Sequence, residues 1–274
     1  MDDGVRGARV LVTGAAQGMG RMYVERALAE GAAAVHAWDA DSARLGELAG
    51  LFARYPGVLT SATVVDIADA DAVADAFAGL PAEGVDVLVN NAGIVRGNDL
   101  FWEAEVADLA ATIAVNVLGA MLVTRAVLPG MVERRRPARV VTIASAAALT
   151  PNPRMAAYAA SKAGVASWSE SVRVELERAG HAHVKVTTVY PSYVSTGMFA
   201  GARGPLLTPV VEPEVVVGAV WRAMLAGRPT VMVPSSVRTA KVLRGLLPAR
   251  AYDLVAGRLF RVYGSMDAFT GRPE

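Results

Sequence analysis

Cysteine is absent from all 274 residues, which excludes disulfides and thiolate-bound metals. Histidine is scarce. His36, His181 and His183 lack zinc-site spacing, and the latter two read as flanking the start of a strand, so no metal site is expected. An excess of one charge is also missing. With 27 basic and 26 acidic residues and a net charge of +1, the chain offers no electrostatic case for nucleic acid as its main partner. No uninterrupted apolar run reaches the ~18 residues of a transmembrane helix. The opening MDDGVRGARV lacks a positive segment followed by a long apolar stretch, so it does not read as a signal peptide. The expected location is the cytoplasm.

What is present is apolar and small. Hydrophobic residues make up 53% and glycines number 26, a mixture suited to buried parallel strands packed closely against helices. Strand-like runs begin at residues 9–13, 33–38, 60–65, 85–89, 139–143, 184–189 and 230–233. Helical stretches fall at 18–30, 41–54, 69–80, 103–128 (stopped by Pro129-Gly130), 156–178 and 212–226. This alternation predicts an α/β fold: a single doubly wound, Rossmann-type parallel sheet of about seven strands with helices on both faces. The domain covers 1–234, and 235–274 forms a C-terminal helical extension of it. No linker or repeat interrupts the chain. Residues 192–213 form a long irregular connection, the kind that often closes over a site.

Residues 13–20, TGAAQGMG, join the first strand to the first helix. Gly14 allows the turn, Gly18 lets the backbone approach a pyrophosphate, and Gly20 lets the helix pack on the strand. Gln17 and Met19 belong to the same phosphate-binding turn, where free N–H groups and the helix dipole favour anions. A tight turn without ligand has the same outline. Asp39 follows the second strand, where a carboxylate accepts hydrogen bonds from both ribose hydroxyls of an adenosine. It would also repel a 2′-phosphate: at about 5 Å and an effective dielectric of about 20, by roughly 3 kcal/mol, or about two powers of ten. No arginine follows directly and Gln17 carries no charge, so NAD is expected over NADP. Asp39 could instead cap the next helix, a task for which Asp41 competes. Asp66-Ile67 and Asn90-Asn91-Ala92-Gly93 end the third and fourth strands. Asp66 is placed near the adenine and Asn90 as a brace for the loop, although asparagines are also ordinary turn formers.

Tyr158 and Lys162 stand at i and i+4 and so share a helix face. A phenol ionises near pH ~10, and a nearby ammonium lowers that value towards the range of a general base. Ser145, just past the fifth strand in the apolar stretch IASAAAL, is suited to hydrogen-bond a substrate oxygen as its charge changes.

Taken together, TGAAQGMG at 13–20, NNAG at 90–93, Asn116, Ser145 and YAASK at 158–162 resemble the short-chain dehydrogenase/reductase family, in its order and spacing, across roughly residues 8–235. The resemblance implies a catalytic set of Asn116, Ser145, Tyr158 and Lys162. Tyr158 would be the acid/base, Ser145 would position the substrate oxygen, and Lys162 would lower the tyrosine pKa and bind the nicotinamide ribose. Asn116, inside the long helix, would hold a water in the proton relay; an interior asparagine paired with backbone is the other reading. Pro191, Val194 and Thr196 would border the nicotinamide carboxamide. Ser192 departs from the family's glycine, which puts the loop path in question.

The loop at 192–213 carries Tyr193, Met198, Phe199, Leu206 and Leu207, with Arg203 as its single cation, so the expected substrate is a hydrophobic alcohol or ketone. The extension pairs Arg238, Lys241, Arg244, Arg250, Arg258 and Arg261 with leucines and valines, and Pro248 divides it into two helices. Such a basic amphipathic pair either packs on protein or lies peripherally on an anionic membrane. Its ending, SMDAFTGR, resembles retinol and 17β-hydroxysteroid dehydrogenase-like members. The family likeness also implies a homodimer or homotetramer. The competing functions are an NADPH-dependent carbonyl reductase and a non-catalytic dinucleotide sensor, since fold alone does not set function.

Overall fold

The computed structural model describes residues 4–206 and 209–271. Seven parallel strands form one sheet in the order β3-β2-β1-β4-β5-β6-β7. The strands are β1 Arg9–Thr13, β2 Ala34–Asp39, β3 Leu59–Val64, β4 Val87–Asn90, β5 Ala138–Ile143, β6 Val184–Pro191 and β7 Thr230–Val233. The helices are α1 Gly18–Ala29, α2 Ser42–Gly46, α3 Leu48–Phe52, α4 Ala70–Ala78, α5 Val106–Ile113, α6 Ala120–Arg134, α7 Ala156–Arg178, α8 Pro213–Leu225, α9 Ser236–Leu246 and α10 Ala249–Asp253. The expected doubly wound architecture is present.

The strands read as continuous apolar runs because successive residues serve two cores. Val10, Val12, Val87, Val89 and Val141 join Val24, Val217 and Trp221 under α1 and α8. Leu11, Leu88 and Val140 join Val73, Val127, Met131 and Leu176 under α4, α6 and α7. β3 is the exception. As an edge strand it alternates with polar residues and leaves Leu59 and Val64 more than half exposed. The sheet order reverses direction between β1 and β4, and this places a crevice at their carboxyl ends.

Three elements depart from expectation. The helix predicted to stop at Pro129 runs on to Arg134, with Arg135 left-handed beyond it. Pro129 is solvent-exposed, so water can satisfy the carbonyl that it leaves without a donor, while Val127 and Met131 hold the same helix on the sheet. α5 and α6 are also joined by a π-helical turn, Ala114–Gly119, giving one continuous helix from Val106 to Arg134. By length and composition it could cross a membrane, but here it forms one layer of the fold. The stretch 41–54 splits into α2 and α3, where Gly46 and Gly50 weaken helical propensity. The extension divides at Pro248 as expected, and α10 continues into a π-helical turn, Leu254–Leu259.

Candidate active site

The crevice is a cleft of about 270 Å³ that runs from Asp39 to Tyr158. The glycine turn forms one end. Gly20 is fixed by close approach: a Cβ there would lie 1.8 Å from the Gly14 carbonyl oxygen, so only glycine lets α1 start this near β1. No side chain caps α1, whose first-turn N–H groups remain available for an anion. Gly14, Gln17 and Met19 line the cleft, whereas Gly18 backs onto Thr196 of the opposite wall.

The brace falls to Asn91 rather than Asn90. Asn91 Nδ2 donates to the carbonyls of Thr13 and Gly14, both at 3.1 Å, and Thr13 Oγ1 accepts from the backbone N–H groups of Asn91 and Ala92. Asn90, still in the strand, points into the helix layer and donates to Thr124 at 2.8 Å.

Asp39 is not a helix cap. Its carboxylate accepts from Ala16 N at 2.9 Å and Asp41 N at 3.0 Å, tying the end of β2 to the glycine turn, while Asp41 caps α2 through Arg44 N. Both carboxylate oxygens of Asp39 retain lone pairs for a ligand. Arg44, unweighted by sequence reading, reaches back to Gln17 Oε1 at 2.6 Å, with its Nε 3.5 Å from Asp41. A cation therefore stands beside the Asp39 end of the cleft. Asp66 is exposed and accepts from Ala68 N; it lines the cleft with Ile67, Ala92 and Gly93.

At the other end, α7 carries Tyr158 and Lys162 on one buried face. Lys162 Nζ donates to Ile143 O at 2.8 Å and lies 5.7 Å from the Tyr158 ring centroid. Burial drives the lysine down to about 8. Burial also pushes the Tyr158 phenol well above its usual value; a hydrogen bond with Ser145 opposes this and nearby Tyr193 adds to it. The expectation that Lys162 lowers the tyrosine pKa does not describe this geometry. The ammonium faces a carbonyl, and desolvation dominates both groups. Ser145 Oγ also accepts from Ala147 N, capping the short turn Ala146–Ala148.

Asn116 lies in the π-helical turn, outside the cleft wall. Its Nδ2 donates to Ile94 O at 2.9 Å and Ser161 Oγ at 3.0 Å, and its Oδ1 accepts from Ile94 N at 2.8 Å. Both side-chain donors are committed, so this side chain fixes the loop after β4 and has no N–H left for a relay water.

Pro191, Val194 and Thr196 line the cleft as expected. Ser192 causes no distortion. Its N–H donates to Val233 O at 2.8 Å, extending the β6–β7 pairing, and among the described residues only Arg135, Arg154 and Arg261 are non-glycines with positive φ. The lid is pinned at its base by a bridge between Val194 and Val211. Met198 and Phe199 close over the cleft, with Phe199 edge-on to Tyr158 at 5.8 Å. Leu207 lies outside the described residues.

The extension packs on this lid. Arg203 N donates to Ser265 O, Leu206 N to Phe260 O, and Thr270 N to Ala200 O. Gly201 permits the contact, since a Cβ there would meet the Ala268 carbonyl oxygen at 2.0 Å. Asn152 Nδ2 donates to Tyr193 Oη at 2.8 Å and Ser265 Oγ at 2.9 Å, knotting three segments beside Ser145. Sequence reading missed Asn152, Thr150 and Met155, as well as Val237 and Val262 from the extension. No motif marks them; Thr150, Asn152 and Met155 lie just beyond Ser145 in the chain, and the two valines reach the same cavity only through the fold.

His36 bonds Ser61 Oγ at 2.8 Å in the core, and no group of three or more potential metal ligands occurs among the described residues.

The short chain dehydrogenase family model matches residues 8–205. Estradiol 17-beta-dehydrogenase 11 of Rattus norvegicus is 32% identical over 257 residues, 93% of this chain and 85% of the relative, a match that reaches beyond the family core. A short chain dehydrogenase/reductase from Burkholderia phymatum, solved with NAD, superposes with a TM-score of 0.78 at 26% identity, covering 88% of this chain and 94% of that one. A short chain dehydrogenase from Burkholderia cenocepacia, solved with NADP, gives 0.75 at 28% identity over 92% and 98%. With its sheet order, glycine turn and buried tyrosine–lysine face, the chain belongs to the short-chain dehydrogenase/reductase family of oxidoreductases.

Proposed function

We propose that the protein is an NAD-dependent oxidoreductase that transfers hydride between the carbinol or carbonyl carbon of a hydrophobic alcohol or ketone and nicotinamide. One observation carries this reading: Ser145, Tyr158 and Lys162 converge at one end of a continuous cleft whose other end is Asp39. The uncapped α1 terminus fits a pyrophosphate, and the dinucleotide supplies the hydride acceptor or donor. Tyr158 gives or takes the hydroxyl proton, Ser145 orients the substrate oxygen, Lys162 holds the ribose side of the cleft, and Met198 and Phe199 exclude water.

Arg44 supports a second reading, an NADPH-dependent carbonyl reductase, because its guanidinium lies where a 2′-phosphate would need a partner. The neutral phenol of Tyr158 suits that direction too. Fluorescence titration with NADH and NADPH side by side separates the two. The NAD reading expects tighter NADH binding, a preference that shrinks by roughly 10–100-fold in Asp39→Ala, and weaker NADPH binding in Arg44→Ala. Tighter NADPH binding by the unaltered protein overturns it.

Two assembly properties accompany this proposal. Exposed Val242, Leu246, Leu254 and Leu259 lie among Arg238, Lys241, Arg244, Arg250, Arg258 and Arg261, a composition that suits peripheral contact of a cytoplasmic enzyme with an anionic membrane. Full-length protein should float with anionic liposomes at low salt and stay behind with neutral ones; equal recovery in both would sink the idea. On the helix from Val106 to Arg134 only 28% of the most apolar window is buried, and Ile113 and Leu118 are exposed, a face suited to a second copy of the chain. Light scattering should report a dimer or tetramer, and a monomer at micromolar concentration would refute it.

A further inference from the structure

Two cavities lie side by side between Ser145 and the extension. A near lobe of about 80 Å³ lies against Ser145 and Met155. A second lobe of about 130 Å³ lies beyond it, between α9 and the π-helical turn of the extension, walled by Leu243, Val255 and Phe260. The two are adjacent and share Thr150, Ala240 and Val262 in their walls. Thr150 Oγ1 lies 2.7 Å from Tyr252 Oη, while Asn152 Oδ1 in the near lobe and Ser236 Oγ in the far lobe are buried without a hydrogen-bond partner. No charged residue lines either lobe among the described residues.

We infer that the substrate is a linear-chain alcohol or ketone: its oxygen-bearing carbon sits at Ser145 and Tyr158, and its alkyl tail passes Ala240 into the far lobe. Two narrow, adjacent lobes suit a flexible chain, which can bend between them. A rigid fused-ring carbinol needs one broad chamber. Apolar walls without a cation leave the distal end of the chain uncharged, so a tail ending in a carboxylate is disfavoured. This substrate class rests on the hydride-transfer reading above.

The test is a homologous series of linear secondary alcohols, assayed by cofactor reduction, together with equilibrium binding of a linear polyene alcohol whose fluorescence rises in apolar surroundings. Each methylene seated in the far lobe should raise kcat/KM by up to about fourfold until the lobe is full. Leu243→Trp, or Thr239→Phe should the first fail to fold, fills the far lobe alone. Either should flatten that rise for long chains, leave the shortest alcohols unaffected, and weaken polyene binding by at least tenfold. Chain-length-independent kcat/KM, or polyene binding indifferent to both variants, overturns the inference. Polyene binding that responds to the variants while no alcohol turns over upholds the lobe and rejects hydride transfer.

Discussion

Tyr158→Phe is expected to bind NADH as the parent does and to lose turnover by a factor of about 10²–10⁴, the usual contribution of a positioned acid or base. The ring keeps its edge contact with Phe199 and its packing on Met155 and Met266, so only the hydroxyl is removed. The reaction direction should show in the pH profile. Burial holds the phenol above its ordinary value, so it is neutral across the working range and already able to protonate a carbonyl oxygen. As a base for alcohol oxidation it must first lose that proton. Oxidation should therefore still be climbing at about pH 10, the ordinary value of a phenol, while carbonyl reduction should stay flat below it. Single-turnover rates in both directions test this, and unimpaired turnover by Tyr158→Phe would remove the tyrosine from the mechanism.

Lys162→Met should abolish turnover and yet stabilise the unliganded protein. Burial lowers this lysine from 10.5 to about 8, a penalty of about 3 kcal/mol for carrying its charge in the fold. The variant loses the hydrogen bond that this charged group donates to Ile143 O, worth about 2 kcal/mol. The net gain of about 1 kcal/mol corresponds to roughly 2–4 °C in Tm. The sign follows from proton linkage. Below pH 8 the folded and unfolded states both hold the proton, and the penalty is complete. Between about 8 and about 10.4 the unfolded state binds more protons, so stability rises with pH, and above both values the penalty is gone. Buried tyrosines work against stability above about pH 10, because the unfolded chain releases their protons first. The difference in Tm between parent and variant isolates the lysine: it should be largest below pH 8 and narrow towards pH 10. A variant less stable than the parent at neutral pH would mean that the ammonium is better solvated than its burial implies.

Sequence carried the sheet and the cofactor cleft because both obey local rules. Strand runs show up as apolar clusters, the glycine turn as small residues at fixed offsets, and the tyrosine–lysine face as an i, i+4 pair. Features set by contact across the fold were not legible. That Asn91 and not Asn90 braces the turn depends on which face of β4 each side chain leaves. Arg44 becomes relevant to the cofactor only because α2 folds its guanidinium back onto Gln17. The dominance of burial over the Lys162 charge at Tyr158 depends on where the ammonium points, and spacing alone cannot say. Pro129 looked like a stop because local propensity is unfavourable, yet packing through Val127 and Met131 on the sheet prevails.

The backbone bonds between lid and extension have a practical consequence. Anything attached beyond residue 271 hangs from the strand of chain that fastens the substrate door, through Thr270 N on Ala200 O and Ser265 O beneath Arg203 N. A bulky group joined just after residue 271 would load that fastening, and is expected to disturb the lid more than the same group joined before residue 4.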